Sequence, residues 1–383
     1  MVVPVSSRPG RLVSAAAIVE HARVLATRRT APPELAGGWE LPGGKVRPGE
    51  SPAAACVREV GEELGCAVRV LRRLPGEQPL PGGYLLHVHE AELVAGEPEP
   101  REHDALRWLG PEELDQVRWL RPDVPLVAAL RDRLLDGEAL PGGNVGGAVR
   151  IGATVRRPTG PWTPAVHALL AYLCQAGLSD VPRVLGTDER GREVLTWLPG
   201  RVVDVDSEHI DDALVASAMR WLRRYHEVAR GFRPAGPVRW RNGEGQLGAD
   251  QIICHHDFAP YNVAEQDGEV AGVFDWDMAG PGAPIDDVAF AAWNFVPLWR
   301  DLGPAETARR LLLVCACYGG LAAADVLRVV GTRIEDATAR IRAGQQAGDV
   351  GMLNLARIGE PDNTLRALSG LRGRLPTIEA ALR

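Results

Sequence analysis

Short apolar runs, separated by polar turns, dominate the first third of the chain. The runs at 12–20, 23–26, 84–93 and 105–109 predict strands, and the apolar spacing at 125–135 predicts a closing helix. This alternation is typical of a domain that mixes strands with helices on a common core.

One helix in this region has both of its ends marked by the sequence. Ser51 suits the N-cap and Pro52 suits the first helical turn. The apolar spacing continues to Leu64, and Gly65 suits a C-terminal stop. We therefore expect a helix from Pro52 to Leu64.

The pattern changes after residue 136. The glycine-rich stretch 136–147 (DGEALPGGNVGG) is interpreted as partly a linker and partly a functional turn. Beyond it, strands are predicted at 148–151, 154–156, 183–185 and 193–197, with a helix at 163–176. After Gly200 the chain is mostly helical, apart from loops and short strands near 252–276. A chain of 383 residues is too long for one ordinary core, so we predict two domains, 1–137 and 138–383.

Composition restricts the possible partners. Apolar residues make up 45% and charged residues 24%, as in soluble globular proteins, and the net charge of -7 argues against a nucleic-acid surface. Neither a signal-peptide segment nor an apolar run of membrane-spanning length is found in the sequence. The six cysteines lack paired metal spacing, which favours reduced thiols in a cytoplasmic protein. Oligomeric state is left open.

Residues 44–66, GKVRPGESPAAACVREVGEELGC, fit the pattern G-x5-E-x7-R-E-U-x-E-E-x-G-U, where U is an aliphatic residue. Glu59, Glu62 and Glu63 share one face of the predicted helix and would repel one another without a cation. Such oxygen ligands suit Mg2+ or Mn2+, which also binds phosphates. This stretch resembles the Nudix box of hydrolases that split nucleoside diphosphates linked to another group. We expect the three glutamates to bind metal, Glu62 to act in catalysis as well, and Arg58 to orient Glu59.

The segment before the box, 28–45 (RRTAPPELAGGWELPGGK), resembles the MutT branch of the Nudix family. That resemblance implies an α/β/α sandwich that hydrolyses nucleoside triphosphates to monophosphate and pyrophosphate. It also implies phosphate contacts from Arg28 or Arg29. Gly43, Gly44 and Lys45 are expected to form a turn whose N–H groups approach the phosphates.

Two further segments provide candidates for this site. EHDALRW, starting at Glu102, resembles a family segment that brings another carboxylate to the site. Glu102 is therefore a candidate base or metal ligand, with Asp104 as its rival and a plain surface acid as the alternative. Asp123 in WLRPDVPLV either accepts hydrogen bonds from a nucleobase amine or caps the helix ahead of Pro125.

A second constellation follows at 255–262 (HHDFAPYN) and 274–277 (FDWD). H-x-D-x4-N followed by an apolar strand and D-W resembles the catalytic and metal loops of the aminoglycoside phosphotransferase family, which shares the protein-kinase fold. The resemblance implies that Asp257 accepts the proton of an attacking hydroxyl, and that Asn262 and Asp275 hold the metal of ATP. His255 and Asp287 are expected to support the catalytic loop.

This constellation departs from the family pattern. His256 replaces the usual glycine, and Lys45, in the first region, is the only lysine of the chain. Arg156 is the expected substitute for the phosphate-binding lysine, because a guanidinium can contact phosphate through two N–H groups. The helix at 163–176 has no acidic residue, and His167 stands roughly where the ion-pair partner of that lysine is expected. The turn at 142–147 could cover ATP phosphates.

The sequence therefore predicts an α+β protein with a Nudix sandwich followed by a two-lobed kinase-like domain, with a reduced N-lobe and a helical C-lobe. The predicted function is bifunctional, combining metal-dependent hydrolysis of a nucleotide with transfer of phosphate from ATP to a hydroxyl of a small molecule. The alternative is an active Nudix hydrolase joined to a kinase fold that only binds a ligand.

Overall fold

The computed structural model of the protein describes residues 11–140, 147–234, 236, 238–241, 243–244 and 247–383. The chain folds into two units, one of residues up to 139 with 149–154, and the other of most of the remainder up to 383. The domain limit at 137/138 stays a prediction.

The first unit is built on a sheet of eight strands in its described part. Their order is β3-β2-β1-β7-β5, with β4 paired to β1, β6 to β7 and β8 to β2. The central pair, β1 and β7, is parallel, and the other pairs for which a register is resolved are antiparallel. The strands are β1 (Arg11–Glu20), β2 (Arg23–Arg29), β3 (Trp39–Glu40), β4 (Gly43–Lys45), β5 (Ala67–Arg73), β6 (Gln78–Leu80), β7 (Tyr84–Ala95) and β8 (His103–Leu109).

Two helices, α1 (Pro52–Leu64) and α2 (Val124–Asp136), cover opposite faces of this sheet. Alternation along β1 explains why: Ala16 and Ile18 pack with α1, whereas Ala15 and Ala17 pack with α2. The predicted three-layer sandwich is thus confirmed. A short pair, β9 (Glu138–Ala139) and β10 (Val149–Ile151), completes the unit.

The box helix begins and ends as predicted. The Ser51 side chain accepts the N–H of Ala54 at 3.2 Å, and Gly65 ends the helix in a left-handed conformation with φ 68°. Strand β5 was not predicted, because Ala67–Arg73 alternates arginines with small apolar residues at an exposed edge of the sheet.

The second unit begins with a small sheet and one helix. Strand β13 (Glu193–Thr196) lies between β11 (Thr154–Arg157) and β12 (Val184–Thr187), and α3 (Thr163–Gln175) follows β11 in the chain. Short strand pairs follow in the central part of the unit. They are β14 (Arg239–Trp240) with β15 (Gly243–Glu244), β16 (Ile252–Cys254) with β19 (Gly280–Gly282), and β17 (Val263–Gln266) with β18 (Glu269–Val273).

Helices form the rest of the second unit, as predicted. They are α4 (Asp212–Ala229), α5 (Pro284–Phe295), α6 (Pro304–Tyr318), α7 (Ala323–Gln346), α8 (Val350–Arg357) and α9 (Asp362–Ala381). One continuous apolar core joins α3 and α4 to the central strands and to helices α5, α6, α7 and α9. Two loops, 255–262 and 274–279, connect β16 to β17 and β18 to β19, so this core fixes both of their ends.

None of the described helices is by itself long and apolar enough to cross a membrane, and α6 and α7 pass such a test only as a pair bent by 100°. All six cysteines are free.

Candidate active sites

The box helix places its three glutamates on one face, while Val60 and Leu64 point into the core. Glu63 is the innermost acid, and its Oε2 accepts the backbone N–H of Gly43 at 3.0 Å. Burial, opposed by His103 and by this hydrogen bond and reinforced by the carboxylates of Glu40 and Glu59, raises the pKa of Glu63 to about 7. The carboxyl group of Glu63 is thus less acidic than that of an exposed glutamate.

The two glycines of the box form a strand instead of the predicted turn. A Cβ atom on Gly43 would lie 2.3 Å from the carbonyl oxygen of Ser14 on β1, and one on Gly44 would lie 2.4 Å from the carboxyl carbon of Glu59. The glycines are thus needed because β4 approaches both its neighbouring strand and the helix closely. The N–H of Gly43 is directed at Glu63, so its predicted contact with phosphate stays untested.

Arg58 holds the acidic face together. Its guanidinium donates to both oxygens of Glu50, at 2.9 and 3.0 Å, and lies 2.8 Å from Glu59 and 3.0 Å from Glu62. The hydrogen bonds from Arg58 and from the Arg47 backbone lower the pKa of Glu50 to about 2. This arrangement fits the role predicted for Arg58 and leaves Glu62, whose side chain is 46% exposed, at the solvent side.

Two residues that the sequence reasoning missed lie beside this cluster. Glu40 accepts from Arg29 at 2.7 Å, and its other oxygen lies 3.3 Å from Nε2 of the buried His103. They meet because β2 pairs with both β3 and β8, which brings Thr27 opposite Glu40 and Arg29 opposite His103. The sequence signal that could have identified Glu40 is its position in a short apolar segment just before the two glycines of the box.

The other predicted phosphate and carboxylate residues lie nearer the surface. Arg28 forms a two-point ion pair with Asp104, at 2.7 and 3.0 Å, so this rival of Glu102 is already paired. Glu102 is exposed, just before β8, and its backbone carbonyl accepts from Thr30. Lys45 has its ammonium 5.5 Å from the ring centre of Tyr84. The catalytic role of Glu102 stays a prediction.

Asp123 is buried at the N-cap position of α2, but its side chain does not cap the helix. It precedes α2 without a capping hydrogen bond from its side chain, and its Oδ1 accepts the backbone N–H of Leu41 at 3.2 Å. Burial, opposed by that hydrogen bond and reinforced by Glu40, raises the pKa of Asp123 to about 7. Asp123 therefore stands at the N-cap position of α2, as the alternative predicted, but its buried carboxyl group binds the Leu41 N–H instead of the helix.

The donor set of the first unit fits a divalent cation. The Glu59 carboxylate is close enough to Glu63 to raise the pKa of Glu63, and both residues adjoin the half-exposed Glu62. Hard carboxylate oxygens at this density are the ligands that Mg2+ and Mn2+ prefer.

In the second unit, Asp257 lies at the centre of the 255–262 loop. Tyr261 donates to its Oδ1 at 3.0 Å, and the Nδ2 group of Asn262 donates to its Oδ2 at 2.9 Å. Burial, reinforced by the charge of Asp275, raises the pKa of Asp257 to about 7. The nitrogen of the Asn262 amide faces Asp257. The amide oxygen, which is the atom that would bind a cation, therefore takes no part in the contact with Asp257. Phe274 N–H donates to the Asn262 carbonyl at 3.0 Å, which joins this loop to the one that carries Asp275.

A fully buried carboxylate, Asp287 on α5, fixes the start of this loop. Its oxygens accept the N–H groups of His255 and His256, each at 2.7 Å, and His226 of α4 lies 3.1 Å from Oδ2. Although burial opposes it, these neighbours lower the pKa of Asp287. With Cys254, His226 and Asp287 form a compact group of possible metal ligands, but the hydrogen bonds already account for the Asp287 carboxylate.

The two histidines of the loop have different surroundings. His255 Nδ1 accepts the N–H of Asp257 at 3.3 Å, and Nε2 lies 3.2 Å from the Phe274 carbonyl, so the ring is neutral with its proton on Nε2. His256 has φ 62°, the left-handed region that favours glycine. Its ring lies against β19, with Nε2 3.2 Å from the Pro281 carbonyl, so its bulk is directed at that strand.

The aspartates of the 274–277 loop are paired with an arginine other than the predicted one. Arg157 Nη2 lies 3.0 Å from Asp275 Oδ1 and 2.8 Å from Asp277 Oδ2. Arg156, the expected phosphate ligand, is buried with its Nε 3.6 Å from Asp188. The two arginines are neighbours on β11, and adjacent residues on a strand point to opposite faces. Except for Gly147, the turn predicted at 142–147 lies outside the described residues.

Comparisons with known proteins match the two parts of the chain to two different families. The NUDIX domain model matches residues 10–130, and the model of the phosphotransferase enzyme family matches 154–249 and 239–325. The chain is 36% identical over 166 residues to the trifolitoxin immunity protein of Rhizobium leguminosarum bv. trifolii, covering 42% of this chain and 63% of that protein. It thus spans less than two thirds of this relative's length.

Two hydrolase relatives are covered more fully. The chain is 46% identical over 102 residues to the putative 8-oxo-dGTP diphosphatase 2 of Mycobacterium tuberculosis, which is 26% of this chain and 72% of that protein. It is 38% identical over 119 residues to the CTP pyrophosphohydrolase of Escherichia coli, which is 30% of this chain and 88% of that protein.

Proposed function

Because the chain belongs to the Nudix family and also carries a phosphotransferase-family domain, we propose that it is a bifunctional phosphate-handling enzyme. The predicted fold class, a Nudix fold followed by a kinase-like region, is confirmed by the same matches. In this proposal the first unit hydrolyses a nucleoside triphosphate to monophosphate and pyrophosphate. The second unit transfers the γ-phosphoryl group of ATP to a hydroxyl of a small molecule.

The observation that supports hydrolysis is the sharing of one helical face by Glu59, Glu62 and Glu63, where Arg58 contacts Glu59 and Glu62. Glu59 and Glu63 would hold a divalent cation, which supplies polarisation of the phosphoryl group and a more acidic water. Glu62 and Glu102 are the candidates to accept the proton of the attacking water. Water adds to one phosphorus of the α–β phosphoanhydride, the bridging P–O bond breaks, and monophosphate and pyrophosphate are released.

Asp123 supports recognition of a base that carries an amine. One of its oxygens is used by Leu41, which leaves the second to accept an exocyclic N–H. The hydrolase relatives are named for CTP and for 8-oxo-dGTP, and both of these nucleotides carry such an amine. We therefore propose a substrate of cytosine or guanine type, with Arg29 and Lys45 on the phosphate side.

The observation that supports phosphotransfer is the position of Asp257 between Asn262 and Tyr261. A pKa of about 7 suits a group that takes a proton from a hydroxyl at neutral pH. Asn262 and Asp275, on adjacent loops, would hold the metal of ATP. His255 and Asp287 keep the catalytic loop in place.

The proposal is tested by 31P NMR of the whole protein with Mg2+ and a panel of NTPs, dNTPs, 8-oxo-dGTP and ADP-ribose. We expect pyrophosphate from one cytosine or guanine triphosphate, and none from the Glu62→Gln protein. Phosphotransfer is followed in that variant as ADP formation from ATP that depends on an added alcohol or sugar acceptor. Absence of turnover across the panel would contradict hydrolysis. Binding of Mg·ATP without transfer to any acceptor would favour a ligand-binding second unit.

A further inference from the structure

The guanidinium of Arg157 lies against the carboxylates that the second unit would use for metal. A single atom, Nη2, is 3.0 Å from Asp275 and 2.8 Å from Asp277. Asp277 has a second cationic neighbour, because Arg241 Nη1 lies 3.4 Å from the same oxygen. Arg241 is itself paired to Asp349 at 2.6 Å, so Arg157 is the closer cation of the two.

A third carboxylate lies behind Arg157. Glu193 on β13 is buried, with its Oε1 3.7 Å from Arg157 Nε. Its other oxygen lies 2.7 Å from Nε2 of His167 on α3. The helix thus reaches the arginine through a histidine and a strand glutamate, even though the helix itself has no acidic residue.

We propose that Arg157 is the cation that binds the phosphates of ATP in this site, and that Glu193, held by His167, is its positioning residue. This inference rests on the proposed phosphotransfer. Arg157 faces the loop of Asp275, whereas Arg156, on the opposite face of β11, is turned to Asp188. A guanidinium can also contact two acceptors at once, so it can remain on Glu193 while it binds a phosphate oxygen.

The arrangement implies an exchange of charges when metal and nucleotide bind. Without them, Arg157 pairs with both Asp275 and Asp277. A divalent cation on Asp275 repels the guanidinium, which then has Glu193 and the phosphates as its remaining anionic partners. Arg157 and the metal therefore compete for Asp275 when nucleotide is absent, and they cooperate when it is present.

This competition gives two variants opposite effects on metal affinity. Arg157→Gln removes the competitor, so Mn2+ should bind Asp275 more tightly without nucleotide, by roughly 10-fold, while Mg·ATP binding weakens by roughly 10-fold to 100-fold. Glu193→Gln removes the alternative partner of Arg157, so both Mn2+ and Mg·ATP should bind more weakly. A purely structural role would weaken every affinity together in both variants.

The measurement uses the full chain carrying Glu59→Gln and Glu63→Gln, so that the first unit contributes little metal binding. Free Mn2+ is counted by electron paramagnetic resonance, and Asp275→Asn in the same background identifies the second-unit site. Mg·ATP binding is followed by calorimetry. A folded Arg156→Gln protein is the matched control, because Arg156 lies on the opposite face of β11 against Asp188, and we expect it to change both affinities by less than about 3-fold.

The outcomes separate the inference from the function on which it rests. If the unaltered second unit binds no Mg·ATP, the proposed phosphotransfer is wrong. If it binds Mg·ATP and Arg157→Gln binds it equally well, or if Arg156→Gln has the larger effect, the assignment of Arg157 is wrong. Equal loss of Mn2+ affinity in Arg157→Gln and Glu193→Gln would overturn the competition. Arg157→Lys retains the charge and should recover part of the Mg·ATP affinity lost in Arg157→Gln.

Discussion

The carboxylate of Asp287 accepts the backbone N–H of His256 at 2.7 Å, one residue before the proposed catalytic base, Asp257. Its other oxygen accepts the N–H of His255 and faces His226, so one buried charge connects α4, α5 and the catalytic loop. Because His256 has a positive φ, the loop depends on this support to hold a conformation that favours glycine.

Asp287→Ala should therefore disorder the catalytic loop and destabilise the second unit. Two buried N–H groups and a histidine would lose their acceptor, at a cost of about 3 kcal/mol in the free energy of unfolding. Urea denaturation measures the stability, and phosphotransfer should be lost. Nucleotide hydrolysis by the same sample provides the control, and its loss in a folded protein would contradict the assignment.

Glu62→Gln and Asp257→Ala should have crossed effects on the two activities. Each removes a proton-accepting group from one proposed site only, so each should lower one activity by roughly 10²-fold to 10⁴-fold and leave the other unchanged. Both rates are measured on the whole chain under one set of conditions. A folded variant that loses both activities would contradict a model of two separate sites.

Gly44→Ala should strongly reduce the rate of hydrolysis without a change of charge. The added Cβ would lie 2.4 Å from the Glu59 carboxyl carbon and would displace that carboxylate, with an expected loss of roughly 100-fold in rate. Gly61→Ala is the matched control on the box helix, since its Cβ would lie 3.9 Å from the nearest atom, the Cys66 carbonyl oxygen. Equal activity of the two variants would mean that the position of Glu59 does not matter.

The sequence predicted those parts of the sites that lie on a single element or a single loop. The box helix with Glu59, Glu62 and Glu63, and the loop that carries Asp257 and Asn262, needed only local spacing. To tell whether Arg156 or Arg157 faces the proposed site, one must know which face of a four-residue strand is turned towards it. Each face of that strand carries one arginine, so the sequence pattern does not decide. Glu40 and His103 are 63 positions apart and meet only through the pairing of three strands, which no local pattern reveals.

Asp123→Asn should stabilise the first unit at alkaline pH. Because the folded pKa of Asp123, about 7, lies above that of an unfolded aspartate, the charge destabilises the fold progressively as pH rises from about 4 to 7, and fully above that. Asparagine keeps an acceptor for the Leu41 N–H but carries no charge. We expect the variant to gain about 2–4 kcal/mol in the free energy of unfolding at pH 8, and little at pH 4.

Unfolding of the first unit alone can be followed in urea by thiol labelling of Cys56, which is fully buried in the core between α1 and the sheet. Asp115→Asn is the matched control, because that side chain is 84% exposed and its charge remains in solvent in both states. A stability difference between Asp123→Asn and the unaltered protein that stays constant from pH 4 to pH 8 would show that Asp123 titrates normally. The carboxyl group would then be fully ionised at neutral pH, and base recognition through it would be limited to accepting hydrogen bonds. A difference that grows with pH would instead show that Asp123 is partly protonated at neutral pH, so that the same carboxyl group can also donate a hydrogen bond to a ring nitrogen of the base.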